Sequence, residues 1–278
     1  MGFSIDVGIW QGVMRRFIIH AGFHKTATST VQKTLEAHQD VLSPFVQLIP
    51  RKKLKPTRKS AQIFSVKHDP VELGILQAMF VEVLSELKPD DPRPVLMSSE
   101  DFAGYLIGRH GIKDYRAAPA IAAALKETLE LVFGDKFDLV LYYSTRNEGW
   151  LDSCHWQLIK NSDKQITLEA FRKRYANAAD FAPIISQVKA AIEPSQVISA
   201  AIEDHAGTLG PLQPLLDLCG LPENVQSKIT LARPQNVSGS DTLREELLAL
   251  SETDKDGLVA RKGLTRARRT LIRQSKKR

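Results

Sequence analysis

Nine consecutive residues, Gly22-Phe23-His24-Lys25-Thr26-Ala27-Thr28-Ser29-Thr30, gather a glycine, a histidine, a lysine and four hydroxyls directly after an apolar run. The chemistry this set serves best is phosphate binding. In α/β sheets, anionic ligands sit beyond the carboxyl ends of strands and against helix N-termini, where unpaired N–H groups and the helix dipole favour negative charge. Gly22 is expected to let the chain turn tightly, Lys25 to supply a point charge, and Thr26, Thr28, Ser29 and Thr30 to supply hydroxyls and amides. A Ser/Thr-rich stretch can also be a plain helix N-cap, but capping needs a single hydroxyl. The Walker loop requires Gly, four residues, then Gly-Lys-Ser/Thr, and Gly22-Phe23-His24-Lys25-Thr26 does not meet its glycine requirements.

Such a loop needs a strand before it and a helix after it. Arg15–Ala21 reads as a buried strand, being short, apolar and β-rich, and Ala27–His38 as a helix with Val31 and Leu35 on one face. Val95–Ser98, Phe137–Ser144 and Gln196–Ile202 read as further strands. Helices are expected at 70–87, 114–133, 147–160, 167–178, 181–192, 212–218 and 242–250, and Pro50–Lys59 as a basic loop. In the 70–87 helix, Val71, Ile75, Met79, Val83 and Leu87 recur every fourth residue. Gly220 and Pro222 form a stop signal after 212–218. Apolar strands alternating with helices predict an α/β fold of three layers, a parallel central sheet with helices on both faces. With no linker-like stretch and no internal repeat, the 278 residues are expected to form one domain. Residues 1–14 read as a loose extension, and 261–278 as a basic tail.

Composition is that of a globular chain, and no apolar run approaches the roughly 20 residues of a membrane span. The N-terminus has the wrong charge order for a secretory signal. The net charge of +6 is uneven: Arg261–Arg278 holds nine Lys/Arg and no acid, which leaves the rest at −3, six less nine. Arg51, Lys52, Lys53, Lys55, Arg58 and Lys59 form a second acid-free run. Single runs of this kind are usually solvated surface, but two beside a phosphate loop point to an anionic partner. Cys154 and Cys219 fit no metal spacing and read as buried thiols of a reducing compartment. The expected location is cytoplasmic, with the tail as a route to peripheral contact with the inner membrane surface.

The stretch Gly22–Thr30 resembles the 5′-phosphosulfate loop of the sulfotransferases, with Ala27 where that loop usually has glycine. The bacterial carbohydrate-type members are the most similar. The resemblance implies a P-loop-like fold and 3′-phosphoadenosine 5′-phosphosulfate (PAPS) as cosubstrate, with no metal. In the family, a strand ending near an arginine and a following helix serine hold the 3′-phosphate. Here Arg146 and Ser153 match in type, spaced seven apart where the family usually shows eight. Either the turn is one residue tighter or Thr145 takes the arginine's place. Ser98-Ser99-Glu100, the helix at Gly207–Leu221 and Arg233-Pro-Gln-Asn236-Val-Ser238 resemble further family elements, in the expected order along residues 17–250. Arg261-Lys262-Gly263 copies a cofactor-loop triplet of animal members, and in so basic a tail chance accounts for it.

The implied reaction moves a sulfuryl group to a hydroxyl or amine by in-line transfer, which needs positioning and charge stabilisation more than covalent help. Lys25 would stabilise the leaving phosphate, and Gly22, Lys25, Thr26, Ala27, Thr28, Ser29 and Thr30 would hold the 5′-phosphate. Glu100, just past a strand, is the first candidate for the base and His24 the second. His20 reads as a core histidine and His110 as a solvated loop residue. Trp150 and Trp156 read as core packing. The acceptor expected from the basic run at 51–59 is an anionic glycan or lipid-linked sugar. Two other classes are open: a small-molecule kinase with a degenerate loop, which needs an acidic Mg²⁺ ligand, and a nucleic-acid-binding module. The second is disfavoured, because the tail has no aromatic residues and the chain no zinc-finger or RNP-like motif.

Overall fold

Apolar runs too short for helices pair side by side, because an apolar strand leaves both its faces and its backbone edge to be covered. The computed structural model describes residues 14–88, 90–162, 164–234, 238–252 and 260–275. Its strands are β1 Arg15–His20, β2 Gln47–Ile49, β3 Val95–Ser98, β4 Phe137–Thr145 and β5 Gln196–Ala201, in one sheet of order β2-β3-β1-β4-β5. Every pairing is parallel. The α-helices are α1 Thr28–Ala37, α2 Gln39–Leu42, α3 Lys55–Lys67, α4 Pro70–Ser85, α5 Ala118–Phe133 and α6 Trp150–Asn161. They continue with α7 Leu168–Tyr175, α8 Ala182–Ala191, α9 Gln213–Leu218, α10 Glu223–Gln226, α11 Asp241–Glu252 and α12 Ala260–Ser275.

The chain falls into two compact units, each discontinuous in sequence. Met1–Tyr105, Tyr115–Asn147 and Phe181–Gln235 make the first; Leu106–Asp114, Glu148–Asp180 and Asn236–Arg278 make the second. The first holds the whole sheet. On one sheet face Ile18, Leu96, Val140 and Tyr142 pack with Val31 and Leu35 of α1 and Leu215 and Leu216 of α9. The alternate residue Phe17 points to the other face and meets Phe133 of α5, ring centroids 4.8 Å apart. A parallel sheet with helices on both faces is what the alternation predicts. The second unit is helical: Trp156 and Ile159 of α6 pack with Leu243 and Leu247 of α11, and Leu271 and Ile272 of α12 join them. No helix among the described residues is long and apolar enough to cross a membrane.

One expectation is corrected and two are refined. The basic loop Pro50–Lys59 is a loop only to Leu54; Pro56 then sits in the first turn of α3, where its fixed φ and missing N–H cost nothing. The buried face of α4 is Leu76, Phe80, Val83 and Leu84, while Val71 and Ile75 of the every-fourth-residue series are 64% and 43% exposed. The basic stretch 261–278 is helical as far as Ser275, where α12 ends. Residues 1–13, Asn236 and 276–278, to which expectations were attached, lie outside the described residues, as do the side chains of Arg261 and Lys262.

Candidate functional site

The loop leaves the carboxyl end of β1, the central strand. The N–H groups of Ala21 and Phe23 donate to the Tyr142 and Ser144 carbonyls of β4 at 3.0 and 3.2 Å, so the chain runs on beside β4 before turning. A Cβ on Gly22 would lie 2.1 Å from Ser144 Oγ and 2.6 Å from His20 Nε2. Close approach therefore demands this glycine, and the tight turn expected of it is made by Lys25 and Ala27, which take left-handed φ of 69° and 63°. A left-handed L-residue costs roughly 1–2 kcal/mol. Ala27 is also the N-cap of α1 without a side-chain cap, and its carbonyl accepts from the N–H groups of Thr30 and Val31. Phe23 anchors the loop from below, stacked on Phe181 at 4.4 Å and against Tyr115 at 4.7 Å.

Thr26 Oγ1 donates to the Phe23 carbonyl at 2.6 Å, and that carbonyl fixes the direction of a chain of hydrogen bonds. With its proton so used, Thr26 Oγ1 accepts from Ser144 Oγ at 2.7 Å. Ser144 Oγ then accepts from His20 Nε2 at 3.0 Å, and His20 Nδ1 accepts from Ser98 Oγ at 2.9 Å. Gln32 Nε2 donates to Ser98 at its carbonyl (3.3 Å) and Oγ (3.4 Å), and to Glu100 Oε2 at 2.9 Å. The His20 tautomer follows from this network. Burial holds the His20 pKa down at about 3, so the imidazole is neutral. His20 is thus a fully partnered core histidine bridging β3 and β4, and Thr26 serves the loop's own structure.

Past β3, a short 3₁₀ turn, Glu100–Ala103, presents two carboxylates. Glu100 Oε1 accepts from Arg51 Nη2 at 2.8 Å. Asp101 accepts from Arg58 Nη1 and Gln62 Nε2, both at 2.6 Å, and lies 3.5 Å from Arg51 Nη2. Burial pushes the Asp101 carboxyl up, but His24, Gln62 and Arg58 outweigh it and hold the pKa at about 2. His24 Nε2 stands 3.5 Å from Asp101 Oδ1. Its Nδ1 and its backbone N each meet the Tyr115 hydroxyl at 3.3 Å. The two candidate bases therefore differ: His24 has both ring nitrogens turned to Asp101 and Tyr115, while Glu100 sits where α1, β3 and Arg51 converge.

Lys25, Ala27 and Ser29 are half-buried, and Thr26, Thr28 and Thr30 are buried. Arg146 follows Thr145, the last residue of β4, in the first unit and is half-buried. Ser153 belongs to the second, in the first turn of α6 after the left-handed Gly149, and its Oγ lies 3.5 Å from Ser238 Oγ. Two segments singled out separately in the sequence thus meet. Trp156 is packed in the core of the second unit, against Gly239 and Leu243. His110 is exposed at a left-handed turn. Cys154 and Cys219 are free and buried, and burial pushes the Cys219 thiol up to about 12.

Sequence reasoning missed Gln32, Gln62, Asp101, Tyr115 and Ser144, and took Arg51 and Arg58 only as members of a basic run. One signal was present: the acid pair Glu100-Asp101 complements the acid-free run at 51–59. No family model, curated protein or solved structure matches this chain.

Proposed function

We propose that this chain is a PAPS-dependent sulfotransferase of P-loop-like fold, moving the sulfuryl group to a hydroxyl or amine of a carbohydrate or other small acceptor. The observation that carries the reading is the loop: a glycine that only close packing explains, then Lys25 and Ala27 left-handed, at the end of the central strand. The chain turns from β1 toward β2 on one side and later passes from β4 to β5 on the other. The end of β1 is therefore the switch point at which open α/β sheets bind ligands. Backbone N–H groups in left-handed turns form anion-binding concavities, and the start of α1 adds its dipole.

PAPS would supply the sulfuryl group. The loop amides with Thr28, Ser29 and Thr30 hold the 5′-phosphate, and Lys25 neutralises charge growing on the departing oxygen. The sequence resemblance assigns the 3′-phosphate to Arg146, or to Thr145 in its place, at the end of β4. Glu100 is the base we favour, because it follows the carboxyl end of β3, with His24 as the second candidate. The alternative is a small-molecule kinase, which needs an acidic Mg²⁺ ligand at this strand end. Two buried free thiols fit a cytoplasmic setting.

Calorimetric titration with adenosine 3′,5′-bisphosphate, AMP and ATP-Mg²⁺ tests the reading. The bisphosphate should bind roughly 10- to 150-fold tighter than AMP, the worth of a charge-assisted contact of about 1.5–3 kcal/mol. Equal affinity removes the 3′-phosphate site, and preference for ATP-Mg²⁺ moves the chain to the kinases.

A further inference from the structure

We infer that Arg51 anchors the carboxylate of an acidic sugar at a shallow cleft between α1 and β2, and that docking there uncovers Glu100. The chemistry after binding rests on the sulfotransferase reading; the substrate class and its anchor go beyond it.

The cleft is a shallow surface depression open to solvent, so a ligand would rest against it and not enter it. Leu35, Leu48, Ile49 and Pro50 give it an apolar wall, suited to the C–H face of a pyranose. Gln32 and Glu36 line it with acceptors and donors for hydroxyls, and Arg51 is its cation. A guanidinium fork beside a hydroxyl-binding carboxylate selects a ligand that is both polyol and acid, because the fork takes a carboxylate in two parallel hydrogen bonds.

Arg51 is also the member of its cluster that can be released. Asp101 keeps Arg58 and Gln62 when Arg51 turns away, and Glu100 keeps Gln32 on Oε2. Arg58 has a side-chain exposure of 19%, Arg51 of 32%. The Nε atoms of Arg51 and Arg58 are both buried without a hydrogen-bond partner among the described residues, so neither guanidinium is fully used, and the greater exposure of Arg51 is what sets it apart. A sugar carboxylate that recruits Arg51 frees Glu100 Oε1. Glu100 then takes the proton of the acceptor hydroxyl as the acceptor oxygen bonds to sulfur. The bond between sulfur and the bridging phosphate oxygen breaks, and adenosine 3′,5′-bisphosphate leaves with that electron pair. A neutral sugar leaves Arg51 on Glu100 and the base covered.

Ligand-observed NMR on the full chain without nucleotide tests the anchor, with D-glucuronate and D-glucose as probes. Glucuronate should bind at least tenfold tighter than glucose, and Arg51→Gln should erase that difference. Glu100→Gln removes the carboxylate that competes for Arg51, so glucuronate affinity should rise roughly 3- to 10-fold, a gain no purely structural role for Arg51 produces. Equal binding of the two sugars overturns the inference, as does undiminished glucuronate affinity in Arg51→Gln or weakened affinity in Glu100→Gln. Bisphosphate affinity in Arg51→Gln should match the wild type, since Arg51 lies outside the loop. If the bisphosphate fails to bind even the wild-type chain, the sulfotransferase reading falls while the glucuronate result stands on its own.

Discussion

Replacing Gly22 by alanine adds one methyl group at the tightest point beneath the loop. That carbon would stand 2.1 Å from Ser144 Oγ and 2.6 Å from His20 Nε2, far inside the ~3.5 Å at which carbon atoms begin to attract their neighbours. Something must move by more than about 1 Å. The β4 backbone is held on both sides, by β1 and β5, so the Ser144 hydroxyl and the His20 ring must both give way. Rotating the hydroxyl away breaks its bonds to His20 Nε2 (3.0 Å) and Thr26 Oγ1 (2.7 Å). Two neutral hydrogen bonds are worth about 1 kcal/mol each, and a buried partner left unsatisfied costs about 1–3 kcal/mol. Alanine returns about 0.4–1 kcal/mol by restricting the unfolded chain. The expected net loss is therefore about 2–4 kcal/mol, read from the urea midpoint by far-UV circular dichroism. Ser144→Ala breaks the same two bonds and should cost about as much. The double variant loses those bonds only once, so it should be more stable than the sum predicts by at least about 1 kcal/mol. A Gly22→Ala protein within about 0.5 kcal/mol of wild type, or strictly additive variants, would refute the packing argument.

Ala27→Gly relieves a left-handed alanine while loosening the unfolded chain. Its urea midpoint should equal or exceed that of wild type by up to about 1 kcal/mol, whereas Ala27→Val, β-branched, should lose more than about 1 kcal/mol. His20 is neutral when folded, with a pKa of about 3 against 6.5 unfolded. The unfolded chain binds the extra proton between those values, so the His20 contribution is complete above pH 6.5 and declines as pH falls toward 3, by at most about 5 kcal/mol. His20→Gln should flatten the dependence of the urea midpoint between about pH 4 and 7, and an unchanged slope would assign it elsewhere. In a sulfotransfer assay, Lys25→Ala should lower kcat more than it weakens bisphosphate binding, and Lys25→Arg should recover only part of the loss. Glu100→Gln should leave bisphosphate affinity near wild type and cut turnover about 10²–10⁴-fold; equal turnover would transfer the base role to another group.

Much of the scaffold was legible because it is local. The 17–19 and 95–97 runs are wholly apolar and short, which only a doubly covered strand explains. The three residues of β2 are too few for periodicity to register. In α3, the density of lysines masked a proline that begins a helix. In α4, a helix apolar nearly all round, spacing identifies the helix but not the face it buries, which its neighbours α3 and α5 decide. The loop's position was legible, yet Gly22 was credited with the wrong task. Its constraint comes from Ser144, which becomes a neighbour only through the order of strands in the sheet. The Arg51, Arg58 and Asp101 cluster is of the same kind: charge complementarity hinted at it, and tertiary pairing fixed which charges meet.

The His20 bridge has a consequence for the order of events during synthesis. Its two serine partners lie 78 and 124 residues downstream, on β3 and β4. At a translation rate of about 5–20 residues per second, roughly 6–25 s separate the making of His20 from that of Ser144. Throughout that interval β1 can have a neighbour on one side only, and the loop has nothing to pack Gly22 against. A nascent chain should therefore form this loop late and abruptly, when β4 docks. Ribosome-stalled chains ending before Phe137 would carry every loop residue and still lack a formed loop.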